Sequence, residues 1–148
     1  MRPVHSGIPR NERGAAMVEM AIVLPLLAVM FVGIVDFGLI LREHQILQNA
    51  AREGARFSAM SANSISASSD PAGTLAAIQN RVVAYLDQEN TTISASSVTV
   101  NQNYAIVVAG VTVMGSEVTI SYSRSPFLGG SLFAPFTLTA RSVFRNFY

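Results

Sequence analysis

The chain has 148 residues, enough for one small domain and an appendage but not for two sizeable cores. Half of it is apolar and only 13% is charged, with a mean hydropathy of +0.38, so a membrane segment is the first expectation. Ten basic residues, all arginine, face nine acidic ones, so the net charge of +1 gives no global field for nucleic acid, and the absence of cysteine excludes disulfides, thiolate metal sites and a cysteine nucleophile.

Residues 1–14, MRPVHSGIPRNERG, combine prolines, glycines and three arginines without hydrophobic periodicity and read as a short basic leader. Met20 to Val35 then carries no charge, and after Asp36 the apolar character continues to Leu41, making 22 residues. As a helix this stretch would run about 33 Å, close to the hydrocarbon thickness of a bilayer. Fourteen of its residues are Leu, Ile, Val or Phe. They offer roughly −4 to −8 kcal/mol of insertion energy against about +3 for Asp36, so the carboxylate does not veto a span at 20–41. Arg2, Arg10 and Arg13 outweigh Glu12 ahead of the span, whereas Arg42 beyond it is followed by Glu43, which predicts a cytoplasmic amino terminus and an extracytoplasmic remainder. No small-x-small cleavage pattern follows a short apolar core, so the segment is expected to stay on the protein rather than leave as a secretory signal.

Helical spacing persists to Arg56: Ile46, Leu47, Ala50, Ala51 and Ala55 share one face, while Arg52 and Glu53 point outward and Glu53 can pair with Arg56. A single helix over 15–56 is therefore predicted, about 63 Å long, with roughly half protruding from the bilayer. Residues 57–73 are small and polar and read as a Ser-rich loop with a turn at Asp70-Pro71. In the remaining 74–148, Leu75, Ile78, Val82, Val83 and Leu86 predict an amphipathic helix over Thr74–Asn90. The period then falls to two: Val98 and Val100, Ala105 to Met114, Val118 to Tyr122, and Thr137 to Phe147 read as four antiparallel strands, with a hairpin at Gly115-Ser116. The fold class expected is α+β: a long amino-terminal membrane helix, then a small head with one helix packed on a sheet of about four strands. Phe127 to Phe136 form an apolar, glycine-containing loop that either presents a partner surface or folds back over the sheet.

The run Arg13-Gly14-Ala15-Ala16-Met17-Val18-Glu19-Met20-Ala21, then Pro25, Asp36-Phe37-Gly38 and Gln48-Asn49-Ala50-Ala51-Arg52-Glu53-Gly54-Ala55-Arg56, resembles the TadE-like proteins, pseudopilins of tight-adherence (Flp-type) type IV pilus systems. The resemblance implies a precursor cut by a membrane prepilin peptidase between Gly14 and Ala15, with the other pilin subunits and the inner-membrane assembly platform as further partners beside membrane lipid. It also implies a bacterial inner-membrane location before assembly into the pilus. Ala15 would become the new amino terminus and Glu19 the fifth residue, where pilin-like chains carry a glutamate. An ionised carboxylate near hydrocarbon needs a partner, and the amino-terminal ammonium of a neighbouring subunit could supply it. Glu19 read alone is equally an interfacial carboxylate among headgroups. Asp36, near the distal end of the span, is either solvated by snorkelling or in contact with another subunit or the platform.

No catalytic or metal constellation is expected. His5 and His44 flank the span on opposite sides, Asp87 and Glu89 read as a solvated pair at a helix end, and no phosphate loop, cofactor motif or calcium loop is present. The leading expectation is a non-enzymatic minor pilin with no cofactor and no nucleic-acid role. The alternative is an uncleaved single-span scaffold or binding module with a periplasmic head.

Overall fold

The computed structural model describes residues 12–127 and 135–147. Residues 1–11 of the basic leader and the centre of the apolar loop, with Leu128, Leu132 and Phe133, lie outside them.

The first helix, α1, spans Glu12–Ser58 without interruption, passing through Pro25. Its 47 residues make a rod of about 70 Å. The rod has two chemically distinct halves. From Met17 to Leu41 most of the large apolar side chains are exposed, including Met17, Ile22, Leu26, Phe31, Ile34 and Phe37, while Val32 and Ile40, in line with Asp36, are half-buried. From Ile46 onward the predicted stripe is buried: Ile46, Leu47, Ala50, Ala51 and Ala55, extended by Ala59. The same helix is therefore a bare stem at one end and a core element at the other.

The second helix, α2 (Pro71–Gln88), starts three residues earlier than the periodicity predicts. Asp70 is its cap, accepting the Gly73 N–H at 2.9 Å, and Pro71 takes the first helical position, where its missing N–H costs nothing. The pair read as a turn is thus a helix start. Ile78, Val82 and Leu86 are buried, the last two in one cluster with Ile46, Leu47, Ala50, Ala51 and Ala55 of α1. Contact is close because of Gly54: a Cβ there would stand 2.4 Å from Val82 Cγ2. Small residues on α1 let the two helices approach, and larger ones on α2 fill the space.

The sheet has three strands in a meander, β1 (Val98–Val108), β2 (Val111–Arg124) and β3 (Phe136–Arg145), all antiparallel. This corrects the expected four strands and the expected hairpin. The expected first strand joins the first part of the expected second, Ala105 to Val108, in β1, while Val111 to Met114 belong to β2; a bulge breaks the pattern of β1, where Asn101 faces Glu117 and Tyr104 faces Gly115, so Gln102 and Asn103 together oppose Ser116. The turn lies at Ala109-Gly110, both at positive φ (50° and 81°), the two-residue loop that matches strand twist. Gly115-Ser116 sits inside β2. Gly115 is there for space, since a Cβ would meet Ile106 Cδ1 at 2.3 Å and the Phe144 carbonyl oxygen at 2.8 Å.

Val98, Val118, Ile120 and Ala140 lie on one sheet face, where they close the core against both helices. On the other face Arg141 pairs with Glu117 and lies over the Tyr104 ring, 4.8 Å from its centroid. At the end of α1 a polar knot seals the head. The Gln102 amide donates to the carbonyls of Ser58 (3.0 Å) and Asn63 (2.7 Å) and to Ser58 Oγ (2.9 Å), and its oxygen accepts the Ile65 N–H at 2.7 Å. Ser116 donates its hydroxyl to Ser58 Oγ, and the Asn146 amide donates to the Gln102 carbonyl. The bulge turns Gln102 inward, and the orphan carbonyls of the helix terminus occupy its donors.

Candidate functional site

The sequence singles out Gly14, Ala15, Glu19 and Asp36, and the fold spreads them along one rod. Gly14 and Ala15 lie in the first turns of α1, Ala15 exposed. Glu19 follows one turn later, about 6 Å along the axis. It is exposed and forms no ion pair among the described residues. Asp36 lies about 32 Å from Ala15, at the other end of the apolar stretch. The candidates therefore fall in two separate places, Gly14, Ala15 and Glu19 near the amino-terminal end of the stem and Asp36 where the stem meets the head.

The second centre is one that sequence reasoning missed. Asp36 and Glu43 are seven residues apart, two turns, and present their carboxylates on the same side of α1. Arg124, the last residue of β2, reaches between them: Nη2 is 3.0 Å from Asp36 Oδ1, and Nη1 donates to Glu43 Oε1. The other Asp36 oxygen accepts the backbone N–H of Phe127 at 3.2 Å. All three side chains are largely withdrawn from solvent, with 12% exposure for Arg124, 14% for Asp36 and 21% for Glu43. The hydrogen bond that the guanidinium donates to Glu43, and then the one to Asp36, hold it above its usual pKa against the opposing effect of burial. Glu43 Oε2 and Arg124 Nε are buried without a hydrogen-bond partner. Within this chain the partner of Asp36 is the head, through Arg124 and the Phe127 N–H. The seven-residue spacing was the available signal, but the cation comes from 88 positions further on.

The energetic logic follows from the dielectric. A lone carboxylate in an apolar helix costs roughly 3 kcal/mol on insertion, and a guanidinium with geometry to hydrogen-bond it offsets that cost. Two carboxylates sharing one arginine leave the cluster with a net negative charge.

A second bridge, further from the stem, joins the helices. Glu53 accepts from Arg81 of α2 at 2.8 Å and pairs with Arg56 one turn on at 3.2 Å, the latter pair as expected from spacing. The Arg81 hydrogen bond is the main influence holding Glu53 below its ordinary value of 4.5. Between the helices near Glu43 lies a cleft of about 150 Å³ whose walls include Arg42, Glu89 and Asn90. Among the described residues no group of three potential metal-ligating side chains occurs.

Residues 14–56 match the family model described as TadE-like protein, the segment on which the resemblance was read. The matched stretch is α1 from Gly14 to Arg56, less than a third of the chain, and contains Glu19, Asp36, Glu43 and Glu53 but neither Arg124 nor Arg81. No curated protein and no solved structure matches. α1 is the chain's one helix long and apolar enough to cross a membrane among the described residues.

Proposed function

We propose, from this TadE-like stem, that the chain is a minor pilin-like subunit of a tight-adherence pilus, a structural protein rather than an enzyme. The observation that carries the reading is the two-part rod: an apolar half that the described residues of its own head leave largely uncovered, meeting it along the Asp36 side, continuous with a half that forms the head's core. A bare apolar helix must be covered by lipid or by other helices, and a pilin-like subunit uses both in turn. The stem first anchors the protein in the inner membrane with its leader in the cytoplasm and the head outside. It then enters a bundle of neighbouring stems.

In this reading the prepilin peptidase cuts between Gly14 and Ala15, where a glycine leaves the backbone open to attack. The new ammonium of Ala15 on one subunit then meets Glu19 of a neighbour in the bundle. Desolvation makes either charge alone expensive there, so pairing fixes register between subunits. Gly33 and Gly38 have open space around them on the stem and would admit a close-packed neighbouring helix.

Mass spectrometry of the chain extracted from membranes tests the processing step. A chain beginning at Ala15 is expected, and an intact leader in cells with a working peptidase refutes it. Glu19→Ala is expected to insert normally and to lower pilus output, and unchanged output would remove this carboxylate from assembly. Recovery of the chain in sheared filaments separates the pilin reading from that of a permanent membrane scaffold.

A further inference from the structure

The level at which the head meets the stem is fixed by Asp36. Its carboxylate holds Arg124 and the Phe127 N–H, so the end of β2 and the start of the following loop lie alongside α1 at residue 36. The apolar surface of the stem does not end there. Phe37, Leu39 and Leu41 remain exposed, and the first charged side chain is Arg42. Asp36 therefore lies about 7–8 Å below the upper limit of the apolar belt, measured along the helix. With Leu41 at the edge of the hydrocarbon, the segment from Arg124 to Phe127 lies within the boundary layer of the outer leaflet rather than above it.

Phe127 is 79% exposed at that level. Its N–H is tied to Asp36 while its ring has little protein against it, and Phe37 stands one residue along the stem, also exposed. An apolar aromatic ring at the junction of acyl chains and headgroups is in the environment that aromatic side chains favour. The buried ion cluster fits the same place, because it removes from lipid the carboxylate and the guanidinium that the loop brings down.

We propose that the base of the head docks on the bilayer that the stem spans, with Phe127 seated in the lipid boundary of the outer leaflet and the Asp36–Arg124 pair setting its depth. The continuity of the exposed apolar stem with the exposed ring selects lipid as the occupant. This inference rests on the membrane-anchored reading of the stem. The docked base gives the head one orientation on the membrane, and a subunit leaving for a filament must withdraw Phe127 as well as the stem.

The chain contains no tryptophan, so a single substitution supplies a clean reporter. Full-length Phe127→Trp, Phe31→Trp in the stem and Val108→Trp at the hairpin are each reconstituted into phosphatidylcholine–phosphatidylglycerol vesicles with lipids brominated at shallow or deep acyl positions. The proposal expects Phe127→Trp to emit to the blue of Val108→Trp, to resist aqueous iodide, and to be quenched more by shallow than by deep bromine. Phe31→Trp should be quenched most by deep bromine. If Phe31→Trp is quenched and Phe127→Trp behaves like Val108→Trp, the stem spans and the docking proposal falls. A blue-shifted Phe127→Trp that no brominated lipid quenches also overturns it, by placing the ring against protein. Quenching of neither variant overturns the membrane reading on which it rests.

Discussion

Replacing Arg124 by methionine keeps the apolar stem of the side chain and removes its charge, leaving Asp36 and Glu43 facing each other without their shared cation. Both carboxylates are more than three-quarters buried, so little water is available to take the guanidinium's place. Removing one partner of a buried pair costs about 3–5 kcal/mol, and the residual exposure here argues for the lower figure, about 3 kcal/mol. In a chain of this size that lowers the melting temperature by roughly 6–12 °C. Asp36→Asn is milder, about 1 kcal/mol, since Glu43 still holds the arginine. The assay is a double-mutant cycle in detergent micelles on the full chain, followed by near-ultraviolet dichroism of the head's tyrosines. The two losses should not add, with a coupling of about 1–2 kcal/mol, because once Arg124 is gone Asp36→Asn relieves a stranded charge. Additive losses, or an Arg124→Met melt within about 2 °C of the parent, would show that the cluster does not fasten head to stem.

Three further outcomes follow from the head. Glu53→Gln should cost about 0.5 kcal/mol near neutral pH, held small by the exposure of both arginines; because folding depresses the Glu53 pKa below 4.5, the cost should vanish as acid protonates the native carboxylate, and urea titrations of parent and variant across pH 7 to 3 will show whether it does. Gln102→Ala strips partners from the Ser58 and Asn63 carbonyls and the Ile65 N–H, and should lower stability by about 2–4 kcal/mol with faster amide exchange at Ile65. Ala109→Asn places the favoured Asn-Gly pair in a turn that now holds alanine at φ 50°, and should raise stability by about 0.5–1 kcal/mol in thermal melts.

Long periodic features are legible in the sequence. The apolar run fixed the stem, and the stripe from Ile46 to Ala55 and the trio Ile78, Val82 and Leu86 named most of the helical core, because burial at helical spacing leaves a mark on composition. Features that depend on a change of face are not. The bulge at Gln102-Asn103 interrupts the alternation of β1, which separates Val98 and Val100 from Ala105 to Val108 in the pattern, and the apolar run from Ala105 to Met114 continues across the true turn and hides it. Ala109 carries no usual mark of positive φ, so the sequence points to Gly115-Ser116 for the hairpin, where the glycine instead serves packing under Ile106. The partner of Asp36 escaped for a different reason: Arg124 is an unremarked arginine in a polar strand end, and only the return of β2 to the stem brings the charges together.

The central claim, that one rod lies in the bilayer with the head beyond it, is open to direct measurement because the chain has no cysteine. Val29→Cys in the stem, Ser69→Cys in the loop before α2 and His5→Cys in the leader are expressed singly in cells lacking the prepilin peptidase and exposed to a membrane-impermeant maleimide in spheroplasts. The account predicts labelling of Ser69→Cys at once, of His5→Cys only after the inner membrane is permeabilised, and of Val29→Cys under neither condition. Ready labelling of Val29→Cys, or labelling of His5→Cys in intact spheroplasts, would contradict it.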